Sequence, residues 1–275
     1  MRSTFVVDLD GTLLRSDGTL LSEARDHLIG LQDQGYALII ATGRKYEEAR
    51  EILRQLKLKE YKNAAIVSDG QCLIDYRDGT ESVAPYLAYP EDYITVMQRF
   101  DHAASAVKLI TPKQDYDVFP SVFCFAMWKR IFKRAMKFRN PFRGLLISPA
   151  GKVESVEKIT VRPYRADTTP SGDAYALYQV AFVHDKKRFE FKPKGVNKSE
   201  SLKQYLAKYN ISPDTVFVFG NDENDFCLFD DFSNSFVVDT ASENVKSRAR
   251  TIIRHDEGLG VIEKINNIIT REKHE

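Results

Sequence analysis

Apolar residues fall into two kinds of stretch along this chain, short continuous runs and longer amphipathic segments, and the two alternate from the start. Phe5-Val6-Val7, Tyr36-Ala37-Leu38-Ile39-Ile40-Ala41 and Ala64-Ala65-Ile66-Val67-Ser68 are continuous runs, the mark of strands buried on both faces. Between them, Ser22 is placed to cap a helix with Ala24, Leu28 and Leu31 on one side, stopped by Gly35. A second helix is predicted where Ala49, Ile52, Leu53 and Leu56 recur at i, i+3, i+4 and i+7. Strand, helix, strand, helix, strand with short connections predicts an α/β fold, a doubly wound parallel Rossmann-like sheet. Cys72-Leu73-Ile74-Asp75-Tyr76 follows as one arm of a hairpin turning at Arg77-Asp78-Gly79.

From about Pro85 to Lys186 the strict alternation is lost. Helix is expected over Glu91 to His102, and strands over Val107 to Thr111, Ser121 to Met127 and Val156 to Arg162. Connections in α/β units run to roughly 2–6 residues, so a block of about a hundred residues is an inserted α+β domain. The expected division is a core of residues 1–84 and 187–275 with an insert of residues 85–186. The core pattern then resumes. A helix after Gly195 carries Leu202, Tyr205, Leu206 and Tyr209 on one side, and Val216-Phe217-Val218-Phe219 is another buried strand. Ser235-Phe236-Val237-Val238 and Thr251-Ile252-Ile253 are read as edge strands, with a Ser242-capped helix between them.

Charge and cysteine content narrow the partners. Forty basic and 39 acidic residues leave a formal charge of +1 over 275 residues, so no global field attracts nucleic acid or membrane. No apolar run approaches the ~18 residues of a membrane span, and no signal segment precedes the first strand. Cys72, Cys124 and Cys227 lie far apart, which fits neither a disulfide framework nor zinc and points to a reducing cytoplasm. The five histidines have no metal spacing either. One local anomaly stands out. No acid occurs between Asp117 and Glu154, where Lys129, Arg130, Lys133, Arg134, Lys137, Arg139, Arg143 and Lys152 fall. Trp128, Ile131, Phe132, Ala135 and Met136 have helical spacing there. Two readings stay open, an amphipathic helix with a solvated basic face and an anion-binding surface for a polyanionic substrate or RNA.

The chemistry sits at strand tips. Asp8 and Asp10 end the first strand, and Gly11 permits a turn that can bring the two carboxylates together. Two close carboxylates repel unless a cation neutralises them. Mg²⁺, a hard oxygen-seeking ion, suits such a pair. A carboxylate beside it can attack phosphorus. Thr42-Gly43-Arg44 ends the second core strand ahead of a helix, where a hydroxyl and backbone N–H groups can cradle phosphate. Thr42 could equally cap that helix. Arg44 could pair with a substrate anion or lie exposed in the first turn. Asp69-Gly70 after the third strand makes a turn or faces the substrate. Lys198 opens a helix, where the macrodipole disfavours a cation, so its position calls for another reason. Gly220-Asn221-Asp222-Glu223-Asn224-Asp225 ends the next core strand with a cluster of oxygen ligands.

In this order the segments resemble the haloacid dehalogenase superfamily, and within it the Cof-like phosphatases. Asp8-Leu9-Asp10-Gly11-Thr12 matches the first motif, Thr42 the second, Gly195-Val196-Asn197-Lys198 the third and the 220–225 loop the fourth. The resemblance implies a Mg²⁺-dependent phosphatase of a small phosphorylated metabolite, a sugar phosphate above all. Asp8 would be the nucleophile that forms an aspartyl phosphate. Asp10 would protonate the leaving oxygen and then deprotonate water. Thr42, Gly43, Arg44, Lys198 and Asn224 would bind the phosphoryl group, and the metal set would come from Asp8, Asp10, Asn221, Asp222 and Asp225. The insert corresponds to the superfamily's larger α/β cap, expected to close over the site. His255 to Gly260 is similar to the family's closing loop. Two departures carry weight. The family pattern Gly-Asp-x-x-Asn-Asp has an acid where this chain has Asn221, so either that amide ligates with one charge less or Asp222 takes over. Relatives usually carry Asn-Gly where this chain has Asp69-Gly70. A phosphomutase of the same superfamily would share every core motif. A non-catalytic binder of phosphorylated ligands or RNA is the remaining alternative.

Overall fold

A computed structural model of the chain describes residues 2–83, 104–111, 116–118, 145–146, 156–163, 178–183 and 188–274. The expected elements over Glu91–His102, Ser121–Met127 and the Trp128–Met136 stretch lie outside these residues. The chain divides into two units, Met1–Ala84 with Val196–Glu275, and Pro85–Gly195.

In the first unit, β1 (Thr4–Val7), α1 (Ser22–Asp33), β2 (Ala37–Ala41), α2 (Tyr46–Gln55) and β3 (Ala64–Val67) follow the predicted alternation. The hairpin is β4 (Cys72–Asp75) and β5 (Thr80–Val83). The second unit contributes β6 (Ala104–Ile110), β7 (Tyr116–Val118), β8 (Leu145–Leu146), β9 (Lys158–Pro163), β10 (Tyr178–Val183) and β11 (Arg188–Pro193). The first unit then resumes with α3 (Lys198–Lys208), β12 (Val216–Gly220), α4 (Phe226–Asp231), β13 (Asn234–Val238), α5 (Glu243–Lys246), β14 (Thr251–Ile253) and α6 (Leu259–Glu272).

The first unit is built on one eight-stranded sheet in the order β14-β13-β12-β1-β2-β3-β4-β5. It is parallel from β14 to β3 and antiparallel through β4 and β5. Alternation of side chains across each strand accounts for the two layers. Phe5, Val7, Leu38, Ile40 and Val67 pack on one face with Leu28, Leu53, Ile262 and Ile265. Val6, Ile39, Ile66 and Val218 pack on the other with Leu202, Leu206 and Leu228. Continuous apolar runs are therefore required, because both faces of the central strands are dry. The second unit holds a six-stranded sheet in the order β10-β11-β9-β6-β7-β8, antiparallel except where β7 pairs with β8.

Several expectations change. The return to the core, expected at 187, falls at Val196, because β11 pairs with β9 and β10 in the second sheet. β13 is not an edge strand, since it lies between β12 and β14. Ser22 begins α1 rather than capping it. Leu21 holds the cap position, with no side-chain hydrogen bond. Ser242 occupies its predicted cap position, likewise without a side-chain bond.

A turn at Ser68–Gly70 joins β3 to β4 and presses on the start of α3. Gly70 has φ +95°, and a Cβ there would stand 2.1 Å from the Asn197 carbonyl oxygen. Its own carbonyl accepts the Ser201 hydroxyl at 2.7 Å. Gly70→Ala is therefore expected to destabilise the fold by about 2–4 kcal/mol through strain and overlap together. Chemical unfolding measures this, and an unchanged midpoint would contradict the close packing of the turn on α3.

Candidate active site

The site begins where β1 stops. Asp8 N–H donates to the Phe219 carbonyl of β12 at 3.0 Å, and Asp8 is followed by a turn over Leu9–Leu13 in which Gly11 has φ +78°. A Cβ on Gly11 would lie 2.3 Å from Asn221 Nδ2, so only glycine lets the loop after β12 lie against the turn after β1. Thr12 donates its hydroxyl to Asn221 Oδ1 at 3.1 Å. β1 is flanked by β12 and β2, with Val7 opposite both Phe219 and Ile40. Parallel neighbours thus bring Asp8, Asn221 and Thr42 to one end of the sheet.

Lys198 explains its own position. It is fully buried at the first turn of α3, and its ammonium donates to Asp8 Oδ1 and to Asp225 Oδ1, each at 2.7 Å. The other oxygen of Asp225 accepts the backbone N–H groups of Asn221 at 2.9 Å and Asp222 at 3.2 Å. One buried carboxylate therefore holds both the lysine and the loop after β12. Burial pushes the Asp8 carboxyl up to about 7, with Lys198 pulling it down and Asp225 pushing it up. Burial works against the Lys198 charge, yet Asp225 and Asp8 outweigh it and hold its pKa above the ordinary range. The cluster carries two acids for one base, so a further cation at Asp8 would relieve it.

Thr42 is buried. Its hydroxyl accepts the Arg44 N–H at 3.1 Å, which orders the turn rather than the helix, because Lys45 holds the cap position of α2. Arg44 grips Asp10 with both arms, Nε to Oδ2 at 2.8 Å and Nη2 to Oδ1 at 2.6 Å. Asp10 is turned outward, its side chain 59% exposed. The backbone at Asp10 is non-helical, φ −74° and ψ 117°, and this sends its side chain toward Arg44 instead of Lys198.

Asp69, for which the sequence left open a turn or a place facing the substrate, does the first and lies beside the Thr42-Gly43 tip. It is only 8% exposed, has a left-handed φ of +56° after Ser68 at +52°, and accepts Asn224 Nδ2 at 2.8 Å. A Cβ on Gly43 would stand 2.9 Å from Asp69 Oδ1 and 3.4 Å from Asn224 Nδ2. Asp69 therefore makes the turn and also faces the Thr42-Gly43 tip. The usable signal was an acid where relatives carry an amide.

Among the described residues, the carboxylate of Asp8 and the amide of Asn221, which lies against Gly11 and Thr12, are oxygen donors at the ends of β1 and β12. Asp222 is exposed, and its Oδ1 accepts the Glu223 N–H at 2.8 Å. Asp225 is committed to Lys198 and two backbone donors. Among the described residues no group of three His, Cys, Asp or Glu side chains is arranged to hold a metal ion. Oxygen donors at a strand tip fit Mg²⁺ in kind, and the set is poor in charge. Chemically, the pocket offers a buried carboxylate that an ammonium and a polar loop surround, which suits attack on an electrophile whose charge Lys198 can offset.

Comparison with known proteins bears on the family and the fold. The haloacid dehalogenase-like hydrolase family matches the chain over residues 5–265. A Streptococcus pyogenes protein named as a phosphatase is 23% identical over 261 residues, spanning 94% of this chain and 95% of its own length. The pyridoxal phosphate phosphatase of Escherichia coli is 22% identical over 254 residues, 90% of this chain and 91% of its own. Among solved structures, a HAD subclass IIB sugar phosphatase shares the fold with a TM-score of 0.69 at 14% identity, over 97% of this chain and 98% of that one. Family match and fold coincide, and the chain belongs to the haloacid dehalogenase-like hydrolases.

Proposed function

We propose that the chain is a Mg²⁺-dependent phosphatase of small phosphorylated metabolites, with sugar phosphates as the substrate class, working through an aspartyl phosphate on Asp8. The observation that carries this is the buried Asp8 carboxylate at the tip of β1, 2.7 Å from a fully buried Lys198. Two relatives named for pyridoxal phosphate and for sugar phosphates support a compact phosphomonoester as substrate. Mg²⁺, when bound, would be held by Asp8 and Asn221 and would withdraw charge from the phosphoryl oxygens.

In this reading Asp8 attacks phosphorus in line, and the bond to the ester oxygen breaks as the Asp8–phosphorus bond forms. Lys198 offsets charge on the equatorial oxygens, and the Thr42-Gly43 turn receives one of them. Asp10 gives the leaving oxygen its proton and then takes one from the water that hydrolyses the acyl phosphate, releasing inorganic phosphate and free Asp8. Arg44 sets the position from which Asp10 acts. Asp10→Asn is accordingly expected to lower kcat by ~10²–10⁴-fold with KM much less changed. Steady-state kinetics on the best substrate tests this, and an unaltered kcat would remove Asp10 from the chemistry.

The decisive experiment is a phosphate-release screen across phosphorylated sugars, nucleotides and cofactors, with and without Mg²⁺. Hydrolysis that needs Mg²⁺ is the expected result. A hexose 1-phosphate returned as its isomer with little free phosphate would instead make the chain a mutase.

A further inference from the structure

The loop between β14 and α6 takes no part in the chemical steps, yet its backbone is strained. Asp256, Glu257 and Gly258 have φ of +39°, +53° and +90°, a left-handed run that only the glycine adopts without cost. Such conformations persist where surrounding contacts over-determine them, and they concentrate at functional sites. Gly258 is buried, and a Cβ on it would stand 2.4 Å from the Leu13 carbonyl oxygen. The loop therefore lies against the end of the turn that carries Asp10. Beside it, Glu257 Oε2 pairs with Arg15 Nε at 3.2 Å. Arg15 opens a tight turn, donating its N–H to the Thr19 carbonyl and accepting the Gly18 N–H, each at 2.9 Å. A Cβ on Gly18 would stand 3.3 Å from Arg44 Nη2, the atom that holds Asp10 Oδ1. An unbroken series of contacts thus runs from the strained loop to Asp10, through Leu13 on one side and through Arg15, Gly18 and Arg44 on the other. The Glu257 and Arg15 side chains are 50% and 41% exposed, so their ion pair contributes little to stability. What the strain secures is position.

We propose that the Asp256–Gly258 loop is a brace that fixes the Leu9–Leu13 turn and Arg44 so that Asp10 reaches the leaving oxygen, with Glu257 as a positioning residue. This rests on the phosphatase reading and goes beyond it, because no step of that reaction uses the loop. The effect is selective by leaving group. As the Asp8–phosphorus bond forms and the bond to the ester oxygen breaks, an alkyl oxygen takes the Asp10 proton. A p-nitrophenolate departs as an anion and needs none. Misplacing a positioned group by about 1 Å can cost ~10²-fold. A brace that yields by part of this distance should cost ~10-fold on alkyl esters and almost nothing on the aryl ester.

The test uses the full chain and compares kcat/KM for the best alkyl phosphate of the release screen with kcat/KM for p-nitrophenyl phosphate. This constant reports the steps up to departure of the leaving group. Gly258→Ala drives a methyl group into Leu13 and tests folding as much as position. Glu257→Gly is the informative variant, since it removes the partner of Arg15 and accepts the positive φ. Its melting temperature should move by no more than ~4 °C. Its kcat/KM should fall ~10-fold on the alkyl phosphate, chiefly through kcat, and stay within ~2-fold on p-nitrophenyl phosphate. Arg15→Gln, which leaves the backbone strain in place, should act in the same direction by less. Added to Asp10→Asn, Glu257→Gly should change neither constant further, because the group it positions is already gone. Equal losses on the two esters, no loss on either, or a full further ~10-fold loss in the Asp10→Asn background would overturn the brace while the phosphatase reading stands. No hydrolysis of any alkyl phosphate by the unaltered protein would overturn both.

Discussion

Asp8→Asn is expected to take phosphate release below detection, a loss of at least ~10⁴-fold in kcat, while the protein stays folded. The physical basis is specific. Asp8 is 4% exposed and is the carboxylate at the tip of β1 that Lys198 holds. An amide in its place retains the shape and an oxygen for Lys198, so the loop after β12 keeps its anchor in Asp225. What is lost is the nucleophilic oxygen, and with it the covalent intermediate. Mass spectrometry of the acid-quenched enzyme should find a phosphorylated Asp8 in the unaltered protein alone. Mg²⁺-dependent hydrolysis of an aryl phosphate by Asp8→Asn would end the assignment.

Lys198→Met should be the most damaging single change to stability. Removing one partner of a buried ion pair leaves uncompensated charge and typically costs about 3–5 kcal/mol. Here the lysine is fully buried and serves two buried acids, Asp8 and Asp225. A chain of this size loses roughly 2–4 °C per kcal/mol, so the melting temperature should fall by roughly 6–20 °C. The pH dependence has a definite sign. The folded Asp8 carboxyl is raised from 3.8 to about 7, so its contribution is most favourable below about 4 and is lost as pH rises through about 7. Without Lys198 that loss deepens, and the deficit of the variant, measured without Mg²⁺, should be larger at pH 8 than at pH 5. A deficit that narrows with rising pH would mean that the acids are not the cause.

How much of the site was legible follows from what each residue's surroundings look like in one dimension. Lys198 was legible because a cation at a helix start is electrostatically out of place, and the structure supplies the reason in Asp8 and Asp225. Thr42 was half legible. Its place at a strand tip could be read, while the choice between helix cap and turn required the Arg44 N–H to be seen on its hydroxyl. Asp10 was legible only as a position, because two residues of spacing say nothing about how a non-helical turn throws a side chain, and it pairs with Arg44. Asp69 was half legible too. An Asp-Gly pair is ordinary turn chemistry, and only the contacts with Asn224 and Gly43 show that it also lies beside the Thr42-Gly43 tip.

Taken alone, the sequence determined the layered α/β core, since strands dry on both faces must be continuously apolar and helices covering them must be apolar on one side only. It also determined which segments end in polar residues at the tips of those strands. Only the tertiary structure decided that β11 belongs to the second sheet, that Asp225 rather than Asp222 is the buried acid, and that Asp10 turns out to Arg44 while Asp69 turns in. The reason is that periodicity reports burial averaged along an element. The direction of a single side chain in a loop depends on dihedral angles and on partners distant in the chain, and no local pattern encodes them.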